Sequence, residues 1–460
     1  MKKNNRGEIH LREKAAFYKK LFSIVLPLAL QYLMSAIVSA SDAVMLGFLN
    51  QDSLSAVSLA TQVQFVLNLF YVALTIGTTI LAAQYWGKGD IPSVEKTLGI
   101  ATRFSMLISF LFFASALGCP SLLMRIFTNE ATLIQLGIPY LRIVSFSYLL
   151  MGFTQIYLCI MKNSGRSLRS TIYSSAAMVL NIILNAVLIF GLAGFPALGI
   201  EGAAYATLIA RVAETALVLM ENGRKVPVKV HLSYIIKAEK TLQKDFIRYT
   251  LPMLLNELAW GCGFTMFSVI MGHLGNDAVA ANSVANIVKN IIACVCLGIG
   301  TGSGIMVGNE LGSGNMERAR RYGDRLARLS IVSGAITGGI ILLCIPLIMR
   351  LTYTLSETAF GYLRVMLLVC SYYIIGKSIN CTVIACIFPA GSDTRFGLIC
   401  DTVTMWCVVV PAGLIAAFVL KLPVLGVYLV LNTDEIIKLP VVYWYYKKYR
   451  WLKNITREII

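Results

Sequence analysis

The apolar residues of this chain come in long runs separated by short polar stretches. Twelve runs begin near Leu21, Val57, Gly99, Gly137, Ile172, Leu198, Phe246, Ala280, Leu326, Tyr362, Phe396 and Val424, each bounded by Gly, Pro or charge. About 20 apolar residues are what an α-helix needs to cross a hydrocarbon core of about 30 Å. A membrane β-barrel would instead alternate polar and apolar over segments of about ten residues, and no stretch here does. The first run follows a basic leader and holds a small-residue Ser39-Ala40-Ser41, as a secretory signal would. It continues from Leu21 to about Leu49, well past a signal core of about 7–15 residues, and is read as a span. The pattern predicts an all-α polytopic membrane protein with twelve transmembrane helices.

The runs repeat. Displaced by 225 residues, LPLALQYLMSAIVSASDAVMLGFLNQDSLSAVSLA lies over LPMLLNELAWGCGFTMFSVIMGHLGNDAVAANSVA without a gap. Pro27 falls on Pro252, Gly47 on Gly272, Asp52 on Asp277, Gly77 on Gly302, Gly87 on Gly312, Gly89 on Gly314 and Arg103 on Arg328. Apolar helices resemble one another by chance, but chance does not keep prolines and glycines in register. Six spans per repeat is an even number, so both halves enter the membrane in the same direction, related by an axis along its normal. The expected layout is a leader over 1–20, an N-lobe over 21–221, a basic linker over 222–245, a C-lobe over 246–448 and a tail over 449–460. A parallel six-plus-six repeat is transporter architecture, and Pro27 and Pro252 are expected to bend equivalent helices.

Composition agrees: 57% of residues are hydrophobic and 14% charged, against about 45–50% and 25% in soluble domains. The net charge of +17 would suit nucleic acid if it formed a patch, but there is no basic domain, and no nucleic-acid partner is expected. The cations punctuate the ends of the runs: 31 Lys and Arg on one side of the spans and five on the other. The positive-inside rule then puts both termini in the cytoplasm of a cell bounded by this membrane. The Asn454-Ile455-Thr456 sequon falls in the cytoplasmic tail, where it has no meaning. Eleven cysteines lie scattered with no CxxC and read as small apolar fillers.

No ATP-binding loop is present. The glycine string Gly298, Gly300, Gly302, Gly304 and Gly308 lies inside a span with no strand before it, and reads as helix packing or a flexible break. Without an engine for ATP, transport is coupled to an ion gradient or is passive, and no enzymatic activity or organic cofactor is expected. Ionisable groups inside spans are expensive and functional by default. Asp42 stands alone in the first span, about 15 residues after Pro27, and is expected to titrate or take a cation. Asn181 and Asn185, four apart in the fifth span, share one helical face and can offer neutral oxygens beside it. Arg211 and Glu214 in the sixth span are spaced to pair with each other. Phe267 holds the repeat position of Asp42, so the lone carboxylate is not duplicated. The second half carries Glu257, Lys289, Lys377, Asp434, Glu435 and Lys438 instead, read first as a neutralising network and otherwise as a second site. With lysines available to those acids, one proton is expected to exchange for one monovalent cation. The 17 methionines and 10% aromatic residues supply soft walls suited to promiscuous recognition of organic cations.

At Pro27 and Asp42, at "LAAQYWGKGD", at "LNIILNAVLIFGLAGFPALGIEGAAYAT" and at "PAGSDTRFG" the chain resembles the multidrug and toxic compound extrusion (MATE) family. The resemblance covers nearly the whole chain. It implies two six-helix lobes around a V-shaped cavity and, in a cell's plasma membrane, export of organic cations in exchange for H⁺ or Na⁺, by a monomer in the lipid bilayer. The family's N-lobe ion site falls on Asp42 and Asn181, the pair that would hold Na⁺. Asn185 stands where some branches carry a second acid, and Thr207 is carried over from "GAAYAT". The span-seven glutamate of some branches would fall near Trp260, with Glu257 about one turn earlier. Two other readings share the layout: a lipid-linked oligosaccharide flippase, whose extra spans and cationic cavity are missing here, and a major-facilitator uniporter, whose basic signature is absent from "WGKGDIPSVEKT".

Overall fold

The computed structural model describes residues 2–224, 226–352 and 355–457, with side chains from Glu13 onward except Ala193. The side chains of Lys2, Lys3, Arg6 and Arg12 in the leader, Lys225 of the linker and the last three residues of the tail lie outside the described residues. Every described regular element is a helix. Eleven helices among the described residues are long and apolar enough to cross a membrane. In the first half they are α1 (Lys2–Gly47), α2 (Gln51–Lys88), α3 (Ile91–Gly118), α4 (Ala131–Asn163), α5 (Ser167–Phe190) and α6 (Gly199–Asn222). In the second half they are α7 (Lys240–Gly272), α8 (Asn276–Gly312), α9 (Met316–Leu351), α10 (Glu357–Ala390) and α11 (Thr394–Val419). The twelfth apolar run is also helical, but in three pieces, Val424–Leu431, Asp434–Ile437 and Leu439–Tyr446, together called α12.

The helices start before the apolar runs do, because polar residues cap them. Asn50 Oδ1 accepts from Ser53 N at 2.6 Å and opens α2, and Ser356 Oγ accepts from Ala359 N at 3.1 Å and opens α10. The repeat extends to the caps. Asp90 Oδ1 accepts from Ser93 N at 3.1 Å at the start of α3, and Asn315 Oδ1 accepts from Arg318 N at 3.2 Å at the start of α9. The glycines just before them, Gly89 (φ 80°) and Gly314 (φ 79°), are both left-handed, a conformation a side chain would strain. Register alone had paired these positions; the backbone shows why glycine holds both.

The chain divides into two compact units, and the division cuts two helices. One unit holds the chain up to Tyr32 and Leu258–Glu458; the other holds Leu33–Glu257. The cuts in α1 and α7 are again 225 residues apart, each five or six residues after the proline inside the helix, Pro27 or Pro252. Each unit is therefore completed by the opening half of the other repeat's first helix. In the unit of the first repeat, the opening half of α7 lies so close to α2 that a Cβ on Gly77 would fall 1.9 Å from Thr250 Oγ1. In the other unit, a Cβ on Gly302 of α8 would fall 2.7 Å from Val25 Cγ2 of α1. At the basic end, repeat-related ion pairs secure these segments, Lys96 to Glu239 at 2.9 Å and Arg321 to Glu13 at 2.9 Å.

The glycine string of α8 is packing surface. Gly298 and Gly302 face α1, where a Cβ on Gly298 would sit 2.9 Å from the Ala29 backbone nitrogen. Gly300 and Gly304 face α10, where Cβ atoms would sit 2.9 Å from Cys381 Sγ and 3.4 Å from the Cys386 carbonyl oxygen. Two small-residue faces at four-residue spacing thus let two helices approach one. Backbone cannot swing aside as a side chain can, so Gly298→Ala is expected to destabilise by about 1–3 kcal/mol. Gly339→Ala, on α9 with nothing within 4 Å of its Cβ position, is the control and should leave the thermal unfolding in detergent unchanged. Equal melting of the two variants would contradict the packing role.

The second break in α12 has a local cause: Pro440 lacks an amide hydrogen and disfavours helix at the residue before it. At the first break shorter bonds replace the helical ones, Thr433 N to Val430 O at 3.2 Å and Ile436 N to Thr433 O at 3.0 Å. The Glu435 carbonyl accepts instead from Asn380 Nδ2 at 2.7 Å. Gly376 lets α10 come this close, since a Cβ there would be 2.9 Å from that carbonyl oxygen. Departures from α-geometry also mark α10 and α11: residues Val383–Ile387, Val403–Val409 and Ile415–Val419 are π-helical, a form often found at functional positions.

Candidate ion-coupling sites

In the unit of the first repeat, three helices bring together the four residues singled out from the sequence. Asp42 lies on the part of α1 beyond Tyr32, about 33 Å along the helix from Lys20 at 1.5 Å per residue, and so toward the end opposite the basic one. Asn185 Nδ2 of α5 donates to Asp42 Oδ1 at 2.5 Å and also lies 3.4 Å from Asn181 Oδ1, one turn away. Asn181 Nδ2 in turn lies 3.4 Å from Thr207 Oγ1 of α6, whose hydroxyl donates to the Ala203 carbonyl at 3.0 Å. The two asparagines are buried, while Asp42 and Thr207 are half-buried. Asn185 Oδ1 is buried with no hydrogen-bond partner. The donor set is a carboxylate, two amide oxygens and a hydroxyl, all hard oxygens that suit a proton or Na⁺. The orphaned Asn185 oxygen beside the carboxylate fits either. Tyr140, buried on α4, is near enough to feel the Asp42 charge. Nothing in the sequence separated it from the other tyrosines.

One turn further along α6, Arg211 Nη1 meets Glu214 Oε2 at 2.8 Å, as their spacing predicts. The pair binds within its own helix and lies outside the Asp42 chain of hydrogen bonds.

The second-repeat residues divide. Glu257 is half-buried on α7 and belongs to the other unit. Lys377 Nζ of α10 pairs with Glu435 Oε1 at 3.2 Å and stands 5.1 Å over the Trp260 ring. Lys438 Nζ reaches both Asp401 Oδ1 at 2.9 Å and Glu435 Oε2 at 3.2 Å, and Asn380 Nδ2 adds a bond to Glu435 Oε2 at 2.7 Å. Glu435 is thus fully engaged, as a buried carboxylate must be. Lys289 of α8 bonds to a neutral group, Asn432 Oδ1 at 3.1 Å, with its ammonium 4.8 Å from the Tyr373 ring centroid. Asp434 is 3% exposed, and its Oδ1 has no hydrogen-bond partner. Lysines thus pair directly with Glu435, one of the second-half acids read from the sequence, and with Asp401, which was not among them. Asn432, Asn380, Asp401 and Tyr373 were not singled out from the sequence, because only the break in α12 and the approach of α10 bring them to the charges.

The MatE family profile matches this chain twice, over residues 27–187 and 252–436. Together the matches cover well over half of it, and each starts at the proline of its repeat. The chain belongs to the MatE family. Over 458 residues it is 25% identical to a probable multidrug resistance protein, YoeA, of Bacillus subtilis, covering 97% of each chain. A probable multidrug resistance protein NorM of Bradyrhizobium diazoefficiens is 27% identical over 422 residues, 88% of each chain. A crystal structure of MATE in complex with MaL6 has the same fold, with a TM-score of 0.85, 19% identity and coverage of 94% of this chain and 95% of that one. As a MatE protein the chain is a multi-pass membrane transporter of two repeats, its apolar helices set in a lipid bilayer.

Proposed function

We propose that this MatE protein is a secondary antiporter that exports organic cations in exchange for H⁺ or Na⁺ by alternating access, with Asp42 as the group that carries the coupling ion. The observation that carries the reading is the hydrogen-bonded chain Asp42–Asn185–Asn181–Thr207 across α1, α5 and α6. A lone carboxylate inside a span is costly unless a cation or proton joins it, and among the described residues this one has a hydrogen bond from neutral Asn185 and no ion pair. Its place toward the less basic end suits loading from the side opposite the basic loops. With the cation excess inside, both termini are cytoplasmic, the membrane is the plasma membrane, and the coupling ion enters as substrate leaves. The names of the multidrug relatives and the soft aromatic and methionine composition support organic cations as substrates. The protein works as a monomer and, as a transporter, makes and breaks no covalent bond.

Export of a fluorescent monovalent cation, ethidium, from everted vesicles tests this under separate gradients. A pH gradient or a Na⁺ gradient is expected to drive accumulation, and the effective one names the ion. Ethidium distribution indifferent to both gradients would overturn antiport.

A further inference from the structure

Resting on the antiport reading, we propose that Asp434 and the cavity beside it form a second proton-exchange site, separate from Asp42, that loads one proton per transport cycle. The cavity lies within one unit, lined by Trp260, Asp401, Thr404, Met405, Asp434 and Lys438, and its volume of about 10 Å³ is about that of one water. Three independent features converge on it. Asp434 lines it with a carboxylate that is 3% exposed and has an Oδ1 without a hydrogen-bond partner. The wall from α11 is the π-helical segment Val403–Val409, and the base is the interrupted stretch of α12. The salt bridges around it engage Glu435 and Asp401 with Lys377 and Lys438, so among the described residues Asp434 is left without an ammonium within 4.0 Å.

The charged and titratable groups facing Asp434 are Lys289 from α8, Tyr372, Tyr373 and Lys377 from α10, Asp401 from α11, and Glu435 and Lys438 from α12 itself. The lysines favour the ionised carboxylate at a distance, while burial without a hydrogen bond opposes it. Those opposing influences let a proton come and go. A metal ion is a poor fit: three ammonium groups would face it, and two of the three carboxylates are already neutralised. Among the described residues no group of three or more His, Cys, Asp and Glu side chains is arranged to hold a metal. One water in the cavity would connect Asp434 to its surroundings without admitting an organic cation, so this is a site for the coupling ion and not for cargo.

A second proton changes the energetics. One proton for one monovalent cation moves no net charge and supports about tenfold accumulation per pH unit. Two protons per cation add another factor of ten per pH unit and one net charge, worth about fiftyfold per 100 mV.

The test uses the full-length protein in liposomes in Na⁺-free buffer, so that a proton is the only coupling ion either site can load. The proton-to-ethidium ratio is expected to be two in the wild type and in Asp434→Glu, with uptake driven by voltage at zero pH gradient. In Asp434→Asn the ratio should fall to one and the voltage dependence vanish while pH-driven exchange continues. A ratio of one in the wild type, or of two in Asp434→Asn, overturns the site. Infrared difference spectra across pH give a readout independent of transport. A protonated-carboxyl band that persists in Asp42→Asn and disappears in Asp434→Asn supports the site, and a band unchanged in Asp434→Asn overturns it. Failure of the antiport reading shows differently, as ethidium movement that carries no protons in any variant.

Discussion

Asp42→Asn is expected to abolish gradient-driven export while leaving the protein folded and inserted. The amide keeps the size of the carboxylate, and its oxygen can still accept from Asn185 Nδ2, as Asp42 Oδ1 does at 2.5 Å. Asp42 is half-buried and makes no ion pair among the described residues, so no partner charge is stranded by the change. What is lost is the ability to alternate between a charged and a neutralised state. With one pH unit across the membrane, or a tenfold Na⁺ gradient where Na⁺ is the ion, accumulation of ethidium should fall from at least about tenfold to none, because the cycle turns only when Asp42 loads its ion and a proton on Asp434 adds to that exchange without replacing it. Asn185→Ala removes only a hydrogen bond, worth about 1 kcal/mol, and should slow export without uncoupling it. Full accumulation by Asp42→Asn at equal expression would remove Asp42 from the coupling site.

Most of the fold was legible because its determinants are local. Apolar runs set the spans, and prolines and glycines held in register revealed the repeat. The left-handed Gly89 and Gly314 and the caps at Asp90 and Asn315 show that the register has a backbone cause. The cut of α1 at Tyr32 and of α7 at Leu258 was not legible, because both helices run on unbroken and only packing decides which unit each half joins. At the sites the same division holds. Asn181 and Asn185 share a face by spacing alone, and the resemblance to the MATE family, not the spacing, pointed that face at Asp42. Asp434 and Glu435 are adjacent in the chain, yet successive residues of a helix point about 100° apart. Glu435 turns to two lysines and Asn380, while Asp434 turns to the cavity. No pattern of residue types separates the two. Tyr140 and Tyr373 reach their charges only through tertiary packing of α4 and α10, and no periodicity marks them.

The largest effect on stability is expected at the Arg211–Glu214 pair of α6. Glu214 is 1% exposed, and its carboxylate depends on Arg211 Nη1 at 2.8 Å, whose own side chain is 22% exposed. Lys162 on α4 is the other cation within electrostatic reach of Glu214, but it forms no ion pair with it among the described residues. Arg211→Ala therefore leaves a charge buried inside a span, a change that costs about 3–5 kcal/mol when a buried pair is broken from one side. Replacing both residues removes the stranded charge, and apolar groups of similar volume in place of a buried pair are often neutral or stabilising. Arg211→Met combined with Glu214→Leu should thus recover much of the thermal stability in detergent that Arg211→Ala loses. Because the pair lies outside the Asp42 hydrogen-bond chain, the double variant should also retain pH- or Na⁺-driven ethidium export. Recovered stability with export lost would place the pair in the transport cycle, and no recovery at all would show that Glu214 is held by something other than Arg211.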